Sequence, residues 1–325
     1  MVWLKFIFSA VLITAAATQL AKYGDVIAVR TKISGMFIGV LLLAGATSLP
    51  ELLTSISSIK HGEPNLAAGN VFGSNTINML ILAVVSIIHS KRRILRKVGF
   101  HHALSGSIAI FLIGLAVFSM MADIDIKIAW IGIDSLILIT AYIIGVRIIE
   151  KNSSYEIEVS EEKKIPEGFP PLWKGILGFS IAVGVLVFAV PLMVNSADEI
   201  AEITGIGTTF IGTVLVALVT SLPEMVTTFA AIQIGANDMA IGNLYGSNMF
   251  NMFVLGLTDI FFTSGRFLDA IDPSFLLVGM AGLLMTCMAI IGNLAKIEKR
   301  FLFFEIDAVA LIFIYFASML VLYHT

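Results

Sequence analysis

The stretch from Phe37 to Leu80 recurs from Phe210 to Phe253 at a constant offset of 173 residues, and a gap-free alignment leaves 21 of the 44 positions identical. Any fold for this chain must therefore house the same block twice. The shared residues include Thr47-Ser48-Leu49-Pro50-Glu51 against Thr220-Ser221-Leu222-Pro223-Glu224. They also include Gly69-Asn70, Gly73-Ser74-Asn75 and Asn78 against Gly242-Asn243, Gly246-Ser247-Asn248 and Asn251. A repeated packing motif of small residues would explain the glycines and serines. It does not explain two glutamates among apolar neighbours, where an ionised side chain costs several kcal/mol. A helix-breaking proline followed by a carboxylate, present in both halves, is the pattern of an ion site built at a repeat interface.

The surroundings of the block are those of a membrane protein. Hydrophobic residues make up 58% of the chain and charged ones 13%, with a mean hydropathy of +0.97. Soluble domains carry about 25% charged residues. Ten apolar runs, each long enough to cross roughly 30 Å of hydrocarbon, are predicted near 2–21, 33–59, 65–89, 100–121, 127–148, 174–195, 205–233, 239–263, 273–293 and 301–323. The expected fold class is all-α, a polytopic bundle of ten transmembrane helices. The one cysteine, Cys287, has no intrachain partner and reads as a small apolar residue of the ninth span. A net charge of −3 with no basic patch gives no indication of a nucleic-acid partner. The five histidines (61, 89, 101, 102, 324) fall at or near expected loops and suggest no metal site.

Loop charge orients the spans. Sixteen of the 20 Lys and Arg residues lie in the loops after spans 1, 3, 5, 7 and 9, with only Lys5, Lys60, Lys127 and Arg266 on the other side. The positive-inside rule puts those odd-numbered loops in the cytoplasm and both termini outside, with the Lys91–Lys97 run as a topological anchor. The same 173-residue register pairs Asp25 with Asp198, Asp134 with Asp307 and Tyr142 with Tyr315. Residues 1–21 resemble a signal peptide, but they map onto the interior span 174–195, so they are expected to be retained. Equivalent positions lie five spans apart, so the second copy is expected upside down, as an inverted-topology repeat. The expected division is a first repeat at 1–148, a cytoplasmic linker at 149–173 and a second repeat at 174–325. The linker's glutamates, lysines and Pro166, Pro170 and Pro171 read as a plain connector; it has no EF-hand calcium-binding pattern. Asp134 and Asp307, at the starts of spans 5 and 10, are expected to serve a structural interface.

The chemistry of the block follows from its residue types. Pro50 and Pro223 lack an N–H and force a kink, which is expected to free carbonyls around Ala44 and Thr47, and around Ala217 and Thr220. Irregular backbone at membrane depth is tolerated only where it is buried in protein or lines a polar cavity. No Lys or Arg lies deep in any expected span, so Glu51 and Glu224 are either protonated or neutralised by a mobile cation. Two carboxylates meeting at a two-fold axis, with hydroxyls, amides and carbonyls around them, suit Ca²⁺, and the same oxygens serve Na⁺. Soft metals are disfavoured, because no His or Cys joins the group. Ser74 and Asn78 share one helical face, as do Ser247 and Asn251. Asn70, Asn75, Asn243 and Asn248 are expected to hydrogen-bond between helices.

These motifs resemble the paired repeats of the cation/Ca²⁺ exchanger superfamily, most closely those of prokaryotic sodium/calcium exchangers: Ala-Thr-Ser-Leu-Pro-Glu (46–51) and Thr-Ser-Leu-Pro-Glu (220–224), with Gly-Asn-Val-Phe-Gly-Ser-Asn (69–75) and Gly-Asn-Leu-Tyr-Gly-Ser-Asn (242–248). The resemblance covers essentially the whole chain. It implies carboxylate ligands at Glu51 and Glu224, and hydroxyl or carbonyl ligands at Thr47, Thr220, Ser48 and Ser221. It further implies carbonyl ligands at Ala44 and Ala217, hydroxyls at Ser74 and Ser247, and polar side chains at Asn78 and Asn251. It implies spans 1 and 6 as a sliding gate. Two departures stand out. Ala46 and Val219 occupy positions where relatives often carry glycine, and Asn251 stands where potassium-dependent relatives resemble an Asp type.

The expected function is secondary antiport of Na⁺ against Ca²⁺ by alternating access, with no cofactor, no nucleic acid and no obligatory protein partner, in the lipid bilayer of the cell membrane. H⁺/Ca²⁺ antiport through the same glutamates is the alternative. An intramembrane hydrolase with a glutamate acid–base pair is a remote one, since no nucleophile–base pair or His cluster accompanies it.

Overall fold

In the computed structural model the described residues are 1–89, 94–159, 168–204, 209–295, 300–301 and 304–324. Nearly all of them are helical. Helix α1 (Val2–Thr31) ends where Lys32 turns left-handed, with Arg30 in its last turn facing the negative end of the helix dipole. The second span is not one regular helix. A short α2 (Gly35–Phe37) runs into a π-helical stretch (Ile38–Leu43), then α3 (Ala44–Thr47), a break at Ser48, and α4 (Leu49–Lys60). Pro50 sits in the first turn of α4, where its missing N–H leaves no intrahelical bond unmade. The second copy repeats the device, with α9 (Thr209–Thr220), a break at Ser221 and α10 (Leu222–Gln233) carrying Pro223.

The remaining elements follow the same 173-residue offset. Helix α5 (Pro64–Ile88) matches α11 (Asn237–Phe261), and the turns before them bend at Gly62 and Gly235, both at positive φ. Helix α6 (Ile94–Ala122) matches the broken pair α12 (Phe267–Ala270) and α13 (Phe275–Ala295), where Pro273 interrupts the second copy. The hairpin β1 (Lys127–Ile128) with β2 (Ile131–Gly132) matches β3 (Arg300–Phe301) with β4 (Phe304–Glu305), both antiparallel. Helices α7 (Ile133–Val159) and α14 (Ile306–His324) follow, and α8 (Leu172–Thr204) is the counterpart of α1.

Several expected boundaries move. Spans 5 and 10 begin only at Ile133 and Ile306, because the preceding residues pair as hairpins. Helix α7 runs on to Val159, past the expected end at 148, and residues 160–167 of the expected linker lie outside the described residues. Helix α6 starts at Ile94, so His102 is not near a loop: it is fully buried within the helix, 3.4 Å from Asp238.

Helices α5 and α11 occupy the centre and are buried almost all round. Helices α1 and α8 pack against each other at the periphery, with Gly175 against Val26 and Gly178 against the Tyr23 ring. Their other faces expose Leu4, Phe8, Val11, Ile181 and Phe188. Such a surface would drive association in water but costs nothing against lipid tails. Among the described residues, seven helical segments are long and apolar enough to cross a membrane.

Candidate functional site

The site forms where the two helix breaks meet the centres of α5 and α11. Glu51 and Glu224, each in the first turn after its break, are fully buried. Each carboxylate is held by hydroxyls from both copies. Ser74 Oγ donates to Glu51 Oε1 at 3.2 Å and Ser221 Oγ, from the other copy, at 3.5 Å. Reciprocally, Ser247 Oγ donates to Glu224 Oε1 at 3.4 Å and Ser48 Oγ at 2.8 Å.

The same exchange runs through the rest of the block. Thr220 Oγ1 donates to Asn70 Oδ1 at 3.0 Å and Thr47 Oγ1 to Asn243 Oδ1 at 3.3 Å. Asn78 Nδ2 donates to Asn248 Oδ1 at 3.0 Å and Asn251 Nδ2 to Asn75 Oδ1 at 2.9 Å. Residue i of one copy meets residue j of the other, and j meets i, which is the contact signature of a two-fold relation. The expectation that Asn70, Asn75, Asn243 and Asn248 bridge helices is met by these bonds.

Ala44 and Ala217 lie beside this network, but their carbonyls are not released. Ala44 O accepts the Ser48 amide at 2.9 Å, and Ala217 O accepts the Ser221 amide at 3.0 Å. By the i−4 rule the carbonyls that lose a donor to Pro50 and Pro223 are those of Ala46 and Val219, two residues further along. The Ala44 and Ala217 carbonyls each also accept a hydroxyl on the second lone pair, Thr47 Oγ1 on Ala44 O at 3.4 Å and Thr220 Oγ1 on Ala217 O at 3.2 Å, so an ion reaching either carbonyl must displace that threonine. Sequence reasoning missed Ser55 and Thr228. Asn70 Nδ2 donates to Ser55 Oγ at 3.1 Å and to the Glu51 carbonyl at 3.0 Å, while Asn243 Nδ2 donates to Thr228 Oγ1 at 3.2 Å. The available signal was a hydroxyl residue four positions after each glutamate, on the same helical face.

Four buried oxygens of the site accept no hydrogen bond: Glu51 Oε2, Glu224 Oε2, Asn78 Oδ1 and Asn251 Oδ1. Leaving a buried acceptor unpaired costs about 1–3 kcal/mol, more when it is charged. Among the described residues no ion pair joins either glutamate to a Lys, Arg or His, and no cluster of three His, Cys, Asp or Glu side chains exists. The arrangement is an all-oxygen cradle with two carboxylates and no fixed counter-charge, a donor set suited to hard cations.

A duplicated helical membrane protein with such a cradle at its two-fold interface belongs to the class of ion transporters. The comparisons narrow this. The sequence model of the sodium/calcium exchanger protein family matches residues 1–149 and 174–324, so the chain belongs to that family. It is similar to membrane protein MJ0091 of Methanocaldococcus jannaschii, 32% identical over 245 residues that cover 75% of this chain and 76% of that one. It is 25% identical to sodium/calcium exchanger MaX1 of Methanosarcina acetivorans over 294 residues, 80% of this chain and 83% of MaX1. Among solved structures, the sodium–calcium exchanger NCX_Mj soaked with Na⁺ and Sr²⁺ superposes with a TM-score of 0.72 at 22% identity, over 97% of this chain and 96% of that one. This last likeness speaks for the fold. The chain is thus an exchanger of the membrane, not an enzyme, and the hydrolase reading falls away.

Proposed function

We propose that this protein exchanges Na⁺ for Ca²⁺ across the cell membrane by alternating access. The observation that carries the proposal is the pair of buried glutamates, each with one carboxylate oxygen bonded by hydroxyls of both copies and the other unpaired. Ca²⁺, or Na⁺ ions in its place, binds Glu51 and Glu224. The other ligands come from the hydroxyls of Thr47, Ser48, Ser74, Thr220, Ser221 and Ser247, the amide oxygens of Asn78 and Asn251, and the carbonyls of Ala44 and Ala217. The two ions use overlapping ligands, so their occupancy is mutually exclusive. A site carrying two unpaired negative charges resists crossing a dry barrier, which couples the fluxes.

The proposal includes ten spans. The seven apolar segments are joined by α7, α11 and α14, which fall short on composition or length for identifiable reasons. Helix α7 carries Asp134, Arg147 and Glu150, α11 has Gly256, Thr258 and Asp259 where its apolar counterpart α5 has Ala83, Val85 and Ser86, and the apolar part of α14 is Ile306–Leu322. Five spans per copy make the repeat inverted, with 1–148 and 174–325 as the repeats, 149–173 as a cytoplasmic linker, and both termini outside.

The test is ⁴⁵Ca²⁺ uptake into proteoliposomes loaded with Na⁺, against liposomes loaded with choline at the same pH. Uptake that requires internal Na⁺ and survives collapse of the pH gradient is the expected result. Uptake indifferent to Na⁺ that follows an imposed proton gradient would replace Na⁺ by H⁺ as the coupling ion.

A further inference from the structure

The two copies differ around one matched pair of threonines, Thr54 and Thr227. A cavity of about 270 Å³ descends from the turn at His61 and Glu63 to Pro50, next to Glu51, between α4, α8 and α9. Its walls include Thr54 and Ser57 on α4 and Val190 and Pro191 on α8. The 173-residue offset maps these onto Thr227 and Ala230 of α10 and Ala17 and Thr18 of α1. There the counterparts are closed together. Thr227, Ala230 and Ala17 are buried, and Thr227 Oγ1 donates across to the Ala17 carbonyl at 3.2 Å.

A threonine inside a helix ordinarily turns its hydroxyl back onto its own helix, four residues before. Thr227 instead reaches a different helix and ties α10 to α1. Thr54, the same residue type at the same place in the first copy, makes no hydrogen bond to Val190; the two line opposite sides of the cavity. Pro191, beside Val190, lies inside α8, where a proline removes one intrahelical hydrogen bond and weakens the helix against bending; α1 has Thr18 at that position.

We propose that Thr227 and Thr54 are reciprocal gate latches. Thr227 binds the Ala17 carbonyl while the site is reached along α8, and Thr54 binds the Val190 carbonyl when the site is reached along α1. The proposal rests on the transport reading above. It adds which side chains hold each gate shut and names the bond that must break before the molecule turns over. The glutamates are not part of either latch, so gate position and ion binding are separable by experiment.

Single-cysteine reporters in a Cys287→Ala background test the latches without measuring transport. Ser57→Cys reports on the α8 cavity and Ala230→Cys on its closed counterpart, each labelled by a membrane-impermeant maleimide from either face of reconstituted vesicles. In the parent, the cysteine at 57 is expected to label rapidly from one face and that at 230 slowly but measurably from the other. Thr227→Val, which keeps the shape and loses the donor, is expected to raise labelling at 230 about fivefold, the worth of one neutral hydrogen bond. Thr227→Ser is expected to restore protection. Thr54→Val is expected to leave labelling at 57 intact while lowering labelling at 230 and slowing exchange. Unchanged labelling at 230 in Thr227→Val overturns the proposal. If that variant fails to insert, Thr54→Val decides, because a side chain that merely packs would leave the distant position 230 unaffected. Shifted labelling in a protein that carries no Na⁺-dependent Ca²⁺ would leave the latches standing and sink only the choice of ions.

Discussion

Glu51 and Glu224 are buried among apolar helices, yet each offers one oxygen that no hydroxyl occupies. Replacing one by glutamine keeps the shape and removes half of the site's charge. Glu51→Gln and Glu224→Gln are each expected to lower Na⁺-dependent ⁴⁵Ca²⁺ uptake roughly a hundredfold, about 3 kcal/mol of binding, with membrane insertion unchanged. Transport retained in both would remove the glutamates from the site. Val219, immediately before Thr220, is buried against the α1–α8 pair. Val219→Gly is expected to keep exchange activity but to lose roughly 2–4 kcal/mol of stability, from lost burial and glycine's helix penalty. Parallel uptake and thermal melts in detergent separate the two effects.

The elements that carry these residues depend on close backbone approach. In α11, a Cβ on Gly246 would fall 2.5 Å from the Val40 carbonyl oxygen and 2.6 Å from its Cα. Backbone cannot yield as a flexible side chain does, so Gly246→Ala is expected to cost about 1–3 kcal/mol and to lower activity by displacing Ser247 from Glu224. Gly45, in the broken span itself, has nothing within 4 Å of its notional Cβ. Gly45→Ala is expected to leave uptake unchanged and to raise stability by up to about 1 kcal/mol in melting; a loss there equal to that of Gly246→Ala would refute the packing argument. The break at Ser48 positions Glu51 and the hydroxyl that reaches Glu224, so the proline acts on both copies at once.

At the scale of the whole molecule, the copies are tied together at one end by a buried arginine. Arg266 Nε donates to Asp134 Oδ2 at 2.9 Å and Nη2 to the Ser119 carbonyl at 2.9 Å, while Nη1 reaches Asp123 at 3.2 Å and Asp269. Asp259 accepts the Gly132 amide at 2.7 Å and the Phe267 amide at 2.6 Å. The clamp joins the β1–β2 hairpin to α12 and gives Asp134 the interface role expected of it. Arg266→Ala would strand Asp134 and is expected to cost about 3–5 kcal/mol, read as a lowered melting temperature. Exposed Asp123 contributes little, so Asp123→Ala is expected to change stability by less than about 1 kcal/mol. Orientation is checked separately. A cysteine at Lys60 is expected to label only from outside, and one at Lys151 only from inside; the reverse pattern would invert the proposed topology.

By itself the sequence determined that the chain is a duplicated apolar helical protein, that its helices break close to Pro50 and Pro223 (at Ser48 and Ser221), and which polar residues crowd those breaks. Periodicity and residue chemistry act within a single segment, so they are legible along the chain. Partner choice is not. Nothing local says that Ser48 bonds Glu224, 176 residues away, or that Asn78 crosses to Asn248. Those pairings come from how α4, α5, α10 and α11 pack around the two-fold. Packing also buried His102 in α6, turned residues 127–132 into a hairpin, and kept the Ala44 and Ala217 carbonyls bonded where the prolines alone suggested release. The last such decision is the asymmetry of the gates. Thr54 and Thr227 are the same residue in the same register, yet one faces a cavity and the other is bonded shut. Two halves that share this threonine encode both arrangements, and only the tertiary structure shows which half is closed.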